Sequence, residues 1–122
     1  MRKLSLILAF GALAMGCGTV GGTYEECRSG GDGCDRAVDQ CFTVDIPAER
    51  TNGEFCSRIC GSDLDCDRNR GWEGVCYSLG TTDPTPLCFQ QCDFNSDCEF
   101  GSVCIEVSLG GGLIDFICVP DN

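Results

Sequence analysis

The stretch CSRICGSDLDC, residues 56–66, carries three cysteines in eleven positions, with aspartates alternating at Asp63, Asp65 and, just beyond it, Asp67. Three readings compete for it: a metal knuckle, a calcium loop, or a piece of a disulfide frame. The register of the other cysteines decides among them. Aligned on this stretch, Cys60-x5-Cys66-x9-Cys76-x11-Cys88 is followed by Cys92-x5-Cys98-x5-Cys104-x13-Cys118 and preceded by Cys27-x6-Cys34-x6-Cys41-x14-Cys56. These are three four-cysteine units. Their first cysteines lie 33 and 32 residues apart, and neighbouring units meet through the same Cys-x3-Cys step, Cys56 to Cys60 and Cys88 to Cys92. A repeat of this period sets the frame for every other feature. Cys56 closes one unit, and Cys60 and Cys66 open the next.

Other residues recur in that frame. Asp65-Cys66 matches Asp97-Cys98, Val75 and Val103 each precede the third cysteine, and Trp72 and Phe100 each sit four before it. Unit one is the most divergent. The second half of each unit reads as a β-hairpin. In VCIEVSLGGGLIDFICV, β-branched runs at Val103–Val107 and Ile114–Val119 flank Gly110-Gly111-Gly112, where glycine allows the positive φ of a tight reversal. CFTVDI with NGEFC repeats the pattern in unit one. VCYSLG with TPLCF repeats it in unit two, where Pro84 and Pro86 confine the return segment to an edge or an irregular path. The first halves are short and polar. Ser62-Asp63 suits the start of a single helical turn, where a side-chain oxygen caps free N–H groups. Helical arrays with this period need amphipathic helices, which are missing here.

The expected fold is therefore a small disulfide-rich protein of three tandem modules, each a short turn plus a β-hairpin, with little helix. Units this small cannot bury enough apolar surface to stand alone, so cross-links must supply much of the stability. Four cysteines permit three pairings, and sequence alone does not choose among them.

Thirteen cysteines in 122 residues mark an oxidising compartment. The N-terminus agrees. Arg2 and Lys3 precede an apolar run from Leu4 to Leu13, too short to span a bilayer and laid out as a signal peptide. Two cleavage sites compete. Ala12-Leu13-Ala14 would release a secreted protein beginning at Met15. Leu13-Ala14-Met15-Gly16-Cys17 resembles instead the lipobox of bacterial lipoproteins. That resemblance implies cleavage before Cys17, lipidation of its thiol with acyl groups such as palmitate, and, with Gly18 next, retention at the outer membrane on its periplasmic or surface face. Parity favours this second site. Thirteen cysteines cannot all pair, and assigning Cys17 to lipid leaves twelve. The boundaries become a signal peptide over 1–16, a Gly-containing flexible tether over 17–26, and units over 27–56, 57–88 and 89–122.

The cysteine spacing resembles the small cross-linked motif of colipase and the Dickkopf N-terminal region, and more loosely EB-type and whey-acidic-protein modules. In the colipase-like arrangement the first cysteine bonds the third and the second bonds the fourth. This implies Cys27–Cys41 and Cys34–Cys56, Cys60–Cys76 and Cys66–Cys88, and Cys92–Cys104 and Cys98–Cys118. The SDxDC…GVC pattern also looks like the cysteine-rich repeats of exported bacterial lipoproteins.

Without the signal peptide the chain keeps six arginines against 19 carboxylates, a net charge of −13, with no Lys and no His. Such a surface repels phosphate backbones, so nucleic acid is not an expected partner. Zinc spacing exists in Cys56-x3-Cys60 and Cys88-x3-Cys92, but an oxidising compartment and the repeat frame assign those thiols to disulfides. The aspartate series Asp63/Asp65/Asp67 starts like a calcium loop and then departs from it: Arg68 stands where glycine is needed and Gly74 where the bidentate Glu is needed. A degenerate calcium site and simple turn capping both remain as readings. No other cofactor is expected. Without His or Lys the usual base for a Ser or Cys nucleophile is missing, and acid pairs such as Glu25/Glu26 lack a cleft, so no enzyme is expected. The expected function is a structural or binding role in a membrane-tethered protein. Its partners are the membrane, through the lipid on Cys17, and an extracellular protein. Phe42, Trp72, Tyr77, Phe89 and Phe94 are candidate contacts, although burial against a disulfide is the plainer expectation for most of them. The alternative is a small protease inhibitor presenting Arg50 in DIPAERTNGEF or the TTDPTPL loop, since a rigid loop binds at low ordering cost.

Overall fold

The structure, a computed structural model, describes residues 22–28, 33–79 and 85–122. The signal peptide, Cys17 and most of the TTDPTPL loop lie outside the described residues. Three antiparallel hairpins follow one another, with almost no helix. They are β1 (Gln40–Ile46) with β2 (Thr51–Ser57), β3 (Gly74–Tyr77) with β4 (Leu87–Gln90), and β5 (Ser102–Gly110) with β6 (Leu113–Pro120). In every hairpin the third cysteine of the unit faces the fourth: Cys41 opposite Cys56, Cys76 opposite Cys88, Cys104 opposite Cys118. Each is nevertheless bonded backwards into the polar first half of its unit. The six disulfides are Cys27–Cys41, Cys34–Cys56, Cys60–Cys76, Cys66–Cys88, Cys92–Cys104 and Cys98–Cys118. The order is first to third and second to fourth throughout, with Cα–Cα spans from 5.3 to 6.0 Å, ordinary for such bonds.

A second repeat is visible only in the backbone pairing. The residue before each first cysteine bridges the residue before each fourth: Glu26 to Phe55, Ile59 to Leu87, Gln91 to Ile117. Each hairpin thereby gains a short third strand on its return arm. β4 is thus a middle strand, flanked by β3 and by residues 58–60. Of the two paths expected for the return segment, an edge or an irregular one, Pro86 takes the irregular one: it sits just outside the strand, where only its carbonyl is needed, and accepts from Cys60 N–H at 3.2 Å, while Pro84 lies outside the described residues.

The three units share one core. Tyr24, Val44, Phe55, Val75, Leu87, Phe89, Ile105, Val107, Ile117 and Val119 form a single buried cluster drawn from all three hairpins. Phe55 and Phe89 stack at its centre, 5.3 Å between rings. β6 packs on both β2 and β4, so the last unit touches the first. Asn122 completes that contact. Its side-chain Oδ1 accepts from Glu54 N–H at 3.0 Å and its Nδ2 donates to Glu54 O at 2.8 Å. A Cβ on Gly53 would stand 2.7 Å from the Asn122 backbone nitrogen, so only glycine permits the approach.

The segment expected as a tether is not free along its last residues. Tyr24 is 3% exposed. Its N–H donates to Cys56 O at 2.8 Å and its hydroxyl to Asp67 O at 2.7 Å. An aromatic ring in this Gly- and Thr-rich stretch found an apolar site, and its burial outweighs the local tendency to disorder.

Candidate functional site

Two features meet at the seam between units one and two, within the stretch 56–66. The first is a buried ionic hub. The Arg58 guanidinium donates from Nε to Asp39 Oδ1 at 2.9 Å and from an Nη to Asp67 Oδ2 at 3.0 Å. Thr23 Oγ1 donates to the other Asp39 oxygen at 2.5 Å, and Arg36 pairs with Asp67. Burial opposes the charge on Arg58, but Asp39 and Asp67 more than offset it and raise its pKa further. Burial also pushes the Tyr24 phenol well above its ordinary range, and the Asp67 carboxylate adds to this. The hub joins the N-terminal segment, unit one and unit two.

The second feature is an apolar groove on the other side of the same seam. Strand alternation turns Arg58 inward and Ile59 outward, where it is 62% exposed. Ile59 forms one wall of a cleft of about 290 Å³. Tyr77, Leu79, Thr85, Leu87 and Phe89 of unit two continue that wall, and the facing wall is Phe42, Thr43, Val44 and Asp45 of β1. Four successive strand residues can line a cleft only if it runs along the strand's edge. β1 pairs with β2 on one side and with no other described strand on its groove side. Asp45 is the only charged residue lining the cleft among the described residues. Tyr77 is held in its wall, its hydroxyl donating to Ser108 O at 2.7 Å.

The candidate aromatics divide accordingly. Phe42 and Tyr77 line the groove. Phe89 is 1% exposed and belongs to the core as well as to the groove floor. Trp72 is half-buried beside a reversal at Arg70 and Gly71, both with positive φ. Phe94 is 69% exposed, so the burial expected for most of these aromatics does not extend to it. Sequence reasoning missed Ile59, Val44 and Leu79. Ile59 carried a signal: it is an apolar residue in a step too short to bury it twice.

The aspartates are occupied by backbone and by cations. Asp63 accepts from Cys76 N–H at 2.8 Å, tying the turn Asp63–Asp65 to β3. Asp65 caps that turn, accepting from Gly61 and Ser62 N–H at 2.7 and 3.2 Å. Unit three repeats both devices. Asn95 accepts from Cys104 N–H at 2.8 Å, and Asp97 from Asp93 and Phe94 N–H, each at 2.9 Å. Asp67 faces two guanidinium groups. Among the described residues, no three carboxylates bring their oxygens within 4.8 Å of one another; the clusters that do are sulfurs, where the two disulfides of each unit abut. Cys56 and Cys60, and likewise Cys88 and Cys92, end in different disulfides. Arg50 is exposed at φ 58°, the left-handed position that closes the four-residue turn between β1 and β2, and is not in an extended segment.

The fold and its groove define a small disulfide-rich β-hairpin protein with, among the described residues, an open strand edge. Neither a family model nor a curated protein nor a solved structure matches the chain. No helix among the described residues is long and apolar enough to cross a membrane.

Proposed function

We propose that the chain is an exported lipoprotein, acylated at Cys17 and held at the outer membrane. Its cysteine-rich body binds an extended apolar segment of another exported protein and performs no catalysis. The observation that carries the binding role is the apolar groove lying along the open edge of β1. An unpaired strand edge offers a row of N–H and C=O groups that an incoming strand can pair with, and adjacent pockets then select side chains. A cleft of about 290 Å³ is at the small end for drug-sized ligands and suits one or two apolar side chains. Asp45 at the groove favours a basic residue beside them. The lipid role is supported by cysteine bookkeeping: the six disulfides use twelve of thirteen cysteines, and the remaining one is Cys17.

Selection of displayed random decapeptides on the immobilised mature chain tests the groove. Apolar peptides are expected, weakened about tenfold or more by Ile59→Asp or Leu79→Asp, as for a central apolar contact. Hydrogen exchange should show β1 amides protected by the peptide. Peptides that bind Ile59→Asp as well as the parent, or leave β1 unprotected, refute the site. Intact mass tests the anchor separately: a chain beginning at Cys17 with added acyl mass and no alkylatable thiol is required.

A further inference from the structure

The β5–β6 hairpin runs past the shared core and ends in exposed apolar side chains. Leu109, Leu113, Ile114 and Phe116 are 45%, 65%, 54% and 38% exposed. From Val107 to Ile114 the sequence VSLGGGLI has no charged residue, in a chain with 19 carboxylates. The reversal itself is built from Gly110, Gly111 and Gly112, with φ of 88°, 61° and 82°, so no side chain there screens the apolar neighbours. Alternation along the strands puts Leu109 and Leu113 on the side that carries Val107 and Ile117 further down, and Ile114 and Phe116 on the other. The tip is apolar on both faces.

We propose that this tip is a second membrane contact, dipping into the interfacial layer of the bilayer to which the chain is tethered. The proposal rests on the reading of Cys17 as a lipid site. An end that is apolar all round is served by a medium that surrounds it, whereas a protein groove of the kind seen here covers one side. The length of the tether agrees. Tyr24 is buried, so seven Cα–Cα steps at most separate it from Cys17, a reach of about 25 Å when fully extended. Glu26 lies at the base of the hairpin, its carboxylate 3.0 Å from where a Cβ on Gly101 would be. The nine residues of β5 span about 30 Å. A body held within the first distance can rest a tip at the end of the second on the same bilayer. Glu106 and Asp115 limit the depth. Only the residues beyond them can leave water, a segment of roughly 7–10 Å, matching the 5–10 Å depth of interfacial elements. The open amides of the glycine turn also require that the tip stay near the headgroups.

The test uses the full chain, made with its leader and reconstituted in phosphatidylcholine vesicles. Leu113→Trp adds a fluorophore at the tip, and the parent protein supplies the Trp72 baseline. The added emission should lie to the blue and be lost to brominated acyl chains but not to aqueous iodide. Should Leu113→Trp show alkylatable thiols, and so misfolding, Phe116→Trp replaces it. An acylated, vesicle-floating protein whose tip fluorophore is quenched by iodide and untouched by brominated lipid overturns the proposal while leaving the anchor intact. If intact mass shows Cys17 unacylated, the anchor reading falls, and flotation decides the tip alone: flotation abolished by Leu109→Ser with Leu113→Ser supports it, and no flotation overturns it. Shielding of position 113 that requires membrane protein in the vesicles also overturns it and points to a protein partner.

Discussion

Replacing Arg58 by Met should be the most damaging single change outside the cysteines that leaves backbone and volume nearly intact. The Arg58 side chain is 16% exposed and that of Asp39 is fully buried. In the native protein the guanidinium lies 2.8 Å from Asp39 Oδ1 and 3.0 Å from Asp67 Oδ2. Methionine keeps the apolar stem and removes the charge, so Asp39 is left as a buried carboxylate with, among the described residues, the Thr23 hydroxyl alone. Breaking a buried pair in this way costs about 3–5 kcal/mol, because the surviving charge is uncompensated. Asp67 contributes less to that figure, since it is a third exposed and keeps Arg36.

Urea unfolding at pH 7 with all disulfides intact, followed by Trp72 fluorescence and by circular dichroism, measures the loss. With a urea slope of about 2 kcal/mol/M, the midpoint should fall by roughly 2 M. Adding Asp39→Asn to Arg58→Met should recover part of the loss, since a buried neutral amide is cheaper than a buried unpaired charge. A cost below about 1 kcal/mol for Arg58→Met, or no recovery in the double variant, refutes the view that the hub is a buried ion pair.

Stability should also decline in alkali through Tyr24. Burial first, and then Asp67, raise its folded pKa above the ordinary value of about 10, so its contribution is complete below that pH. It is lost as pH rises beyond, because the unfolded chain ionises first. Urea midpoints from pH 8 to 11 should fall more steeply for the parent than for Tyr24→Phe. Gly74→Ala should destabilise by about 2 kcal/mol or more, since its Cβ would stand 2.5 Å from Asp67 O and 2.7 Å from both Cys66 Cβ and Tyr24 Oη; the urea midpoint and the yield of fully oxidised protein report it. Asp65→Ala and Asp97→Ala should each cost about 1–2 kcal/mol as lost caps. Millimolar calcium should leave the parent's Trp72 emission unchanged, and a saturable change abolished by Asp65→Ala would restore the calcium reading.

The hairpins and their cysteines were legible because they repeat, with Asp-Cys and the Val before the third cysteine recurring in register in units two and three and the Cys-x3-Cys step at both seams. The turn chemistry was half legible. Asp65 and Asp97 stood out by recurrence, but which carboxylate caps and which ties the turn to β3 depends on side-chain direction, which spacing does not reveal. The shared core was not legible. Phe89 and Phe94 look alike in sequence, flanking Cys88 and Cys92, yet one is stacked on Phe55 and the other stands in water. The difference is set by how the units close on one another, through β6 against β2, and that contact has no local signature. The groove was invisible for the same reason, since its walls come from Phe42–Asp45 and Ile59–Phe89. Tyr24 was missed because a lone aromatic has no period.

The pattern of constant and variable spacings follows from the geometry of the seam. Lengths between third and fourth cysteines differ among units, as do those between second and third, whereas the Cys-x3-Cys step does not vary. The variable segments are hairpin loops and polar turns, whose ends are fixed by disulfides and by the capping bonds of Asp65 and Asp97, so a changed length alters only the path between fixed points. The constant step has no such freedom. Cys88 N–H donates to Arg58 O at 3.1 Å, and Cys92 N–H to Phe116 O at 3.1 Å. After each fourth cysteine the chain therefore becomes, within three residues, the third strand of the following hairpin. One residue more or fewer would reverse the faces of everything in the step. At the first seam it would turn Arg58 out to water and Ile59 onto the Asp39 carboxylate, removing the ionic hub and the groove wall together. The stretch CSRICGSDLDC is thus constrained by three demands at once: disulfides at both ends, a buried cation facing one way, and an exposed apolar side chain facing the other.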